Sequence, residues 1–285
     1  MHEAMPSRTA LRVALRRAAH QLYDAPPRVL DDPLAVTILG REYASEVQRT
    51  RFKLGKPHSV ALRAFLVARS RYAEDQLAFA VSPERLQPVV QYVLLGAGLD
   101  TFGYRNPYPQ VEVVEVDHPA TQAWKQTLLA EAGIEAPVNL TYVPVDFEHR
   151  TLAEALEEAG ISRRRPTLFA WLGVVPYLTH EAFAATLDLI ASFAGGSGVV
   201  LDYSQPREVL PHFEQLAHDS LAARVRQAGE PFQLFLTPEQ ARAALHRFSA
   251  IEDLGTAELN ARYFRDRDDL LAAQGTAARL LSAWL

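Results

Sequence analysis

Five short apolar runs alternate along the chain with stretches of helical period, and this alternation restricts the fold more than any other feature. The runs cover residues 89–95, 111–116, 142–145, 168–172 and 199–203. Each is rich in β-branched or aromatic residues and has the length of a strand buried on both faces. Residues 119–132, 152–159 and 180–194 lie between most of them and read as helices. Strand–helix alternation of this kind predicts an α/β protein with a Rossmann-like, mainly parallel sheet. Ligands of such sheets sit outside the carboxyl ends of the strands. The residues that close each run are therefore the first candidates for a site.

Ahead of the first run the pattern is helical. Residues 8–22 form an amphipathic stretch, Asp31-Asp32-Pro33 has the form of a helix start, the polar segment 41–57 is expected to contain a loop, and residues 59–81 suit a helix of about six turns. After the fifth run, helices are predicted near 206–227 and 238–247. Strands are predicted near 233–236, 250–254 and 263–265. The organisation expected is one domain over 1–285: an N-terminal helical cap at 1–85, then a Rossmann-like core at 86–285 with an insertion near 206–230.

The chain has 285 residues and no cysteine, which excludes disulfides, thiolate metal sites and a thiol nucleophile. Absence of cysteine fits a reducing, cytoplasmic setting. No apolar stretch is long enough for a bilayer, and the basic N-terminus lacks the apolar segment of a signal peptide. A net charge of −5 argues against a nucleic-acid partner. His118 and His149 have no second histidine at helical spacing, so no metal is expected.

Leu95-Gly96-Ala97-Gly98-Leu99-Asp100 follows the first run. Glycines at this turn allow a ligand to approach the backbone, and they also suit a plain tight strand-to-helix turn. A dinucleotide fingerprint would place its third glycine at Thr101, which disfavours a pyrophosphate cofactor such as NAD. The second run ends at Asp117, whose carboxylate can accept both hydroxyl protons of a ribose or can cap the helix that follows. Asp146 and Phe147 close the third run, where an adenine would meet a carboxylate and a backbone N–H. The alternative for Asp146 is a cap for the helix near Thr151.

These segments resemble the leucine carboxyl methyltransferase family, in its bacterial branch. The resemblance is carried by Leu94 to Thr101 with Tyr104-Arg105, then by Glu115 to Thr121, Pro144 to Phe147, Pro166 to Phe169, Gly173-Val174 and Tyr177 to Thr179. Asp32-Pro33-Leu34-Ala35 and Arg69-Ser70-Arg71-Tyr72 fit it too. It runs from about Thr9 to Asp202 and fades beyond. It implies a class I methyltransferase fold that uses S-adenosylmethionine. It also implies that Gly96 and Gly98 lie against the cofactor, that Asp117 holds the ribose, and that Asp146 and Phe147 meet the adenine. An arginine before the first strand would pair with the methionine carboxylate, Arg69 first and Arg71 second. The family's glutamate after the fourth strand falls here on Leu172, which cannot accept a hydrogen bond from an ammonium.

The activity implied is methyl transfer to a carboxylate or hydroxyl of a small molecule. A hydroxyl acceptor needs a base, for which His118 and His180 are within sequence reach of the site, though each also suits a cap or surface position. A cofactor-binding relative without turnover is the alternative that Leu172 raises. A nucleotide-dependent oxidoreductase is the alternative that Thr101 opposes.

Overall fold

In the computed structural model, residues 7–147, 149–227 and 231–285 are described. The first six residues of the expected cap, and residues 228–230 of the expected insertion, lie outside them. The chain begins with four helices, α1 (Arg8–Tyr23), α2 (Gly40–Arg49), α3 (Arg51–Leu54) and α4 (Pro57–Ala80). The Ser7 side chain caps α1 by accepting from the Ala10 amide. Proline at the first position starts α4, where its missing N–H is not needed.

Two expectations about this segment need correction. Asp31-Asp32-Pro33 does not start an α-helix. The Asp32 carboxylate accepts from the Leu34 amide in a local turn and from Arg17, and it is wholly buried. Residues 41–57 are mostly helical, holding α2 and α3, with short non-helical links at Thr50 and at Gly55-Lys56. In α2 only Val47 is buried, too thin an apolar signal for a periodicity argument.

Seven strands form one sheet: β1 (Gln91–Leu95), β2 (Glu112–Asp117), β3 (Leu140–Pro144), β4 (Thr167–Trp171), β5 (Gly198–Ser204), β6 (Ala250–Leu254) and β7 (Ala278–Trp284). Their order is β3-β2-β1-β4-β5-β7-β6. The pairs among β1 to β5 are parallel, whereas β7 is antiparallel to both of its neighbours. The expected Rossmann-like, mainly parallel sheet is present. Order reverses between β1 and β4, so the crevice beside the tip of β1 is the topological switch point.

Helices α5 (Phe102–Arg105), α6 (Pro119–Glu131), α7 (Leu152–Glu158), α8 (His180–Ile190), α9 (His212–Gln227), α10 (Pro238–Ala244) and α11 (Thr256–Tyr263) complete the described elements. Alternation along β1 splits the core in two. Val93 and Leu95 pack with Leu152 of α7, Phe183 of α8 and Ala241 of α10, while Tyr92 and Leu94 pack with Ala68 of α4 and Leu259 of α11.

Residues 233–236 are extended but form no strand. Their amides reach only Pro176 and the end of β5 at Ser204. Residues 263–265 are not a strand either, since α11 ends at Tyr263. Among the described residues no helix is long and apolar enough to cross a membrane.

Candidate active site

The turn after β1 is built by two left-handed glycines, with φ of +72° at Gly96 and +52° at Gly98. Side chains are excluded there for a second reason. A Cβ on Gly96 would collide with the Val174 side chain, and one on Gly98 would lie 3.1 Å from the Ala10 Cβ of α1. The turn is stitched to the tip of β2. The Gly96 and Ala97 amides donate to the Val116 carbonyl at 2.8 and 3.1 Å. The Gly98 amide donates to Asp117 Oδ2 at 2.6 Å, and the His118 amide to Oδ1 at 2.7 Å. Burial raises the Asp117 carboxyl above the ordinary aspartate range, and the two amide bonds only partly offset it. Asp117 does not cap α6. That cap is His118, whose Nδ1 accepts from the Ala120 amide at 3.2 Å.

A cavity of about 1300 Å³ opens at this turn and brings together Arg69, Gly96, Gly98, Asp117, Phe147 and Leu172. It exceeds the usual size for one small ligand, so it has room for two. Asp146 is not on its wall and pairs instead with His149 Nδ1 at 3.1 Å. Helix α7 is capped by Thr151, not by Asp146. Arg71 is excluded from the site by position. It pairs with Asp75 in a separate cleft of about 600 Å³. Arg69 is buried, and its Nη1 donates to Asp202 Oδ2 at 2.8 Å. Asp202 lies on β5 and also accepts from the Gly173 amide. It thus holds the loop beyond β4 against α4. Leu172 is the first residue past β4, packed toward the α4 core.

A buried ionic network lies beneath the turn, and sequence reasoning missed it. Arg17 of α1 donates to Asp32 Oδ2 at 2.8 Å, to Thr101 Oγ1 at 3.1 Å and to Asp100. Arg105 donates to Thr101 Oγ1 at 3.1 Å and makes a two-pronged pair with Glu74 of α4. Lys125 of α6 bonds Glu115 and the Asp100 carbonyl. Thr101 therefore occupies the third-glycine position because its hydroxyl serves two arginines. Burial pushes the Asp100 carboxyl up, but Arg17, Arg105 and Lys125 outweigh it and hold it at about 2. Burial raises Glu74, and Arg105 only partly offsets it. The one signal available in the sequence was Asp100 beside the glycine turn. Arg17 looks like any arginine of a basic helix.

Away from the turn the wall changes character. It is formed by Tyr177 and Leu178, by Ala182, Ala185 and Leu189 of α8, and by Gln233. Gln233 is fastened by its amide to the Pro176 carbonyl and by Nε2 to the Tyr177 carbonyl, both at 2.7 Å. His180 is exposed at the start of α8 and is not on the cavity wall.

Comparison with known proteins gives the following. The family model described as leucine carboxyl methyltransferase matches residues 10–191. A Bacillus subtilis protein named "Putative S-adenosyl-L-methionine-dependent methyltransferase YktD" is 29% identical, with 96% of each chain covered. A Mycolicibacterium smegmatis protein with the same general name is 32% identical over 76% of this chain and 71% of its own. Among solved structures, one titled as a putative methyltransferase from Thermobifida fusca superposes with a TM-score of 0.62 at 17% identity. It covers 99% of this chain and 96% of its own, and it supports the fold.

Proposed function

Because the chain belongs to the leucine carboxyl methyltransferase family, we propose that it binds S-adenosylmethionine and methylates a carboxylate on a small molecule. The observation that carries this reading is the glycine turn bonded to Asp117 on the wall of the large cavity. The absence of Cβ atoms at Gly96 and Gly98 leaves backbone open to a close ligand. Asp117 accepts one amide on each oxygen and keeps a lone pair on each for the ribose hydroxyls. Arg69 suits the methionine carboxylate, with its remaining guanidinium N–H groups beside the Asp202 bond. Of the two residues expected to meet the adenine, Phe147 is on the cavity wall and is assigned to it, while Asp146 lies off the wall in its pair with His149. The reading takes residues 1–285 as one methyltransferase domain, with the helices of 1–85 as its cap and an insertion near 206–230.

The bound cofactor would supply an electrophilic methyl on a sulfonium. With the cofactor held by Asp117 and Arg69, an acceptor oxygen would take that methyl while the C–S electron pair stayed with sulfur. The protein's part is to align the two ligands and keep water out. A carboxylate acceptor arrives ionised and needs no base, whereas a hydroxyl must lose a proton. This favours the carboxylate. His118 Nδ1 is engaged by the Ala120 amide, and His180 is outside the cavity.

Titration with S-adenosylhomocysteine and with NAD tests the cofactor. Binding of the first and not the second is expected, and the reverse would overturn the reading. Methyl-labelled cofactor incubated with panels of carboxylic acids and alcohols tests the acceptor. Label found only in ethers would displace the carboxylate.

A further inference from the structure

The inner end of the cavity holds more negative charge than positive. Arg17 is shared between Asp32 and Asp100, Arg105 between Glu74 and Asp32, and Lys125 serves Glu115. Among these ion-paired groups that leaves four carboxylates against three cations, and Asp117 at the same turn adds a carboxylate held by amides. The neighbouring Arg69–Asp202 pair is neutral and does not change the balance. These groups are largely withdrawn from water, where an unmatched charge is poorly screened. Of the four carboxylates, Glu74 and Asp100 are on the cavity wall. Burial raises the Glu74 carboxyl, and Arg105 only partly offsets it.

The wall between Arg69 and Glu74 is low. Ser70 and Ala73 lie between them on α4 and also face the cavity, and both are small. An amino-acid group entering here presents a carboxylate and an ammonium. Arg69 answers the first. Leu172 answers nothing, although it stands where the family carries a glutamate. Each Glu74 oxygen already accepts one bond from Arg105, at 3.0 Å for Oε2, and each retains a lone pair.

Resting on the methyltransferase reading, we propose that Glu74, backed by Asp100, receives the α-ammonium of the cofactor's methionine end and replaces the glutamate lost at Leu172. Recognition of the amino-acid group is thereby moved from the loop after β4 to helix α4. The ammonium would offset the surplus carboxylate locally, while the ligand's own carboxylate falls to Arg69.

The test compares S-adenosylhomocysteine with its analogue lacking the α-amino group, titrated into the full chain. Wild type should prefer the parent compound by about tenfold to hundredfold, the range of a charge-assisted hydrogen bond. Glu74→Gln should lose most of that preference while binding the desamino analogue about as well as wild type. A merely structural role would weaken both ligands alike. Adding Leu172→Glu to Glu74→Gln should restore the preference. Should Glu74→Gln fail to fold, Leu172→Glu in the wild-type background decides. With the ammonium already served, its preference should rise less than about fivefold, and a rise of tenfold or more overturns the proposal. An undiminished preference in folded Glu74→Gln also overturns it. A wild-type chain that binds neither compound overturns the methyltransferase reading itself.

Discussion

The two ends of the cavity are built on opposite physical plans. Around the glycine turn, side chains from α1, α4, α6 and β2 meet in a buried charge network, and almost every polar group answers to two others. At the far end the wall is Leu178, Ala182, Ala185 and Leu189, and Gln233 is tied there by bonds to main-chain carbonyls alone. An over-determined end fixes one ligand in one pose. An apolar end held by backbone bonds leaves its side chains free to vary. If the turn holds the cofactor and the far end the acceptor, as proposed, cofactor geometry would be a property of the fold and acceptor choice a property of a few replaceable side chains.

The sharpest way to break the comparison is Arg17→Met. It leaves Asp32 and Asp100 without their cation in a buried setting, so a stability loss of about 3–5 kcal/mol is expected in urea denaturation. A loss under 1 kcal/mol would mean that the network is not the stiff element described.

Acid should act on the same end. An unfolded Asp100 titrates near its ordinary 3.8 and the folded one at about 2, so the unfolded chain takes up the proton first. The stability it contributes, roughly 2 kcal/mol, is complete above about pH 4 and is lost as pH falls toward 2. Denaturation midpoints measured across that window should fall in wild type and run flatter in Asp100→Asn. Glu74, raised by burial, works in the opposite sense at higher pH.

Asp117→Ala should weaken S-adenosylhomocysteine binding by about 1–3 kcal/mol. Part of that loss comes through the Gly98 amide, which would be left without its acceptor. Calorimetry that finds unchanged affinity would reduce Asp117 to a brace for the turn.

At the outer end Gln233→Ala should cost only about 1 kcal/mol of stability, the worth of an ordinary hydrogen bond. Cofactor affinity should not change, and product profiles with labelled cofactor should shift. A loss of cofactor affinity would join the two ends into one unit and undo the contrast.

The sequence made the same division visible. Strands β1 to β5 could be read because their parallel runs are spelled in β-branched and aromatic residues, even at the edge strand β3, where only Val143 is buried. Gly96, Gly98 and Asp117 could be read because a turn at a strand tip restricts residue type by backbone geometry. Strand β7 could not: Ala278 to Trp284 reads ARLLSAW, with no β-branched residue to distinguish it from a helix. Arg17 could not, because its partner Asp100 is a neighbour only in three dimensions. Choosing between Arg69 and Arg71 needed the direction each faces on α4, and the polar period of that helix does not supply it. Helices α2 and α3 were hidden for a related reason, since they bury almost nothing.

Strand order carries a consequence for how the chain assembles. Strand β7 lies between β5 and β6, although β6 is made before it. When β6 leaves the ribosome its only sheet neighbour does not yet exist, and the free edge of β5 is equally unprotected. Tyr72 of α4 waits too, because its hydroxyl bonds Glu252 of β6 and Ser282 of β7. Five of the seven strands can therefore collapse early around β1, but the last two close in one late step, by insertion of β7 between two strands that are already waiting. Exposed strand edges are adhesive. The interval before that insertion is when the nascent chain is most open to pairing with a second copy of itself, and slower synthesis of the last segment would lengthen it.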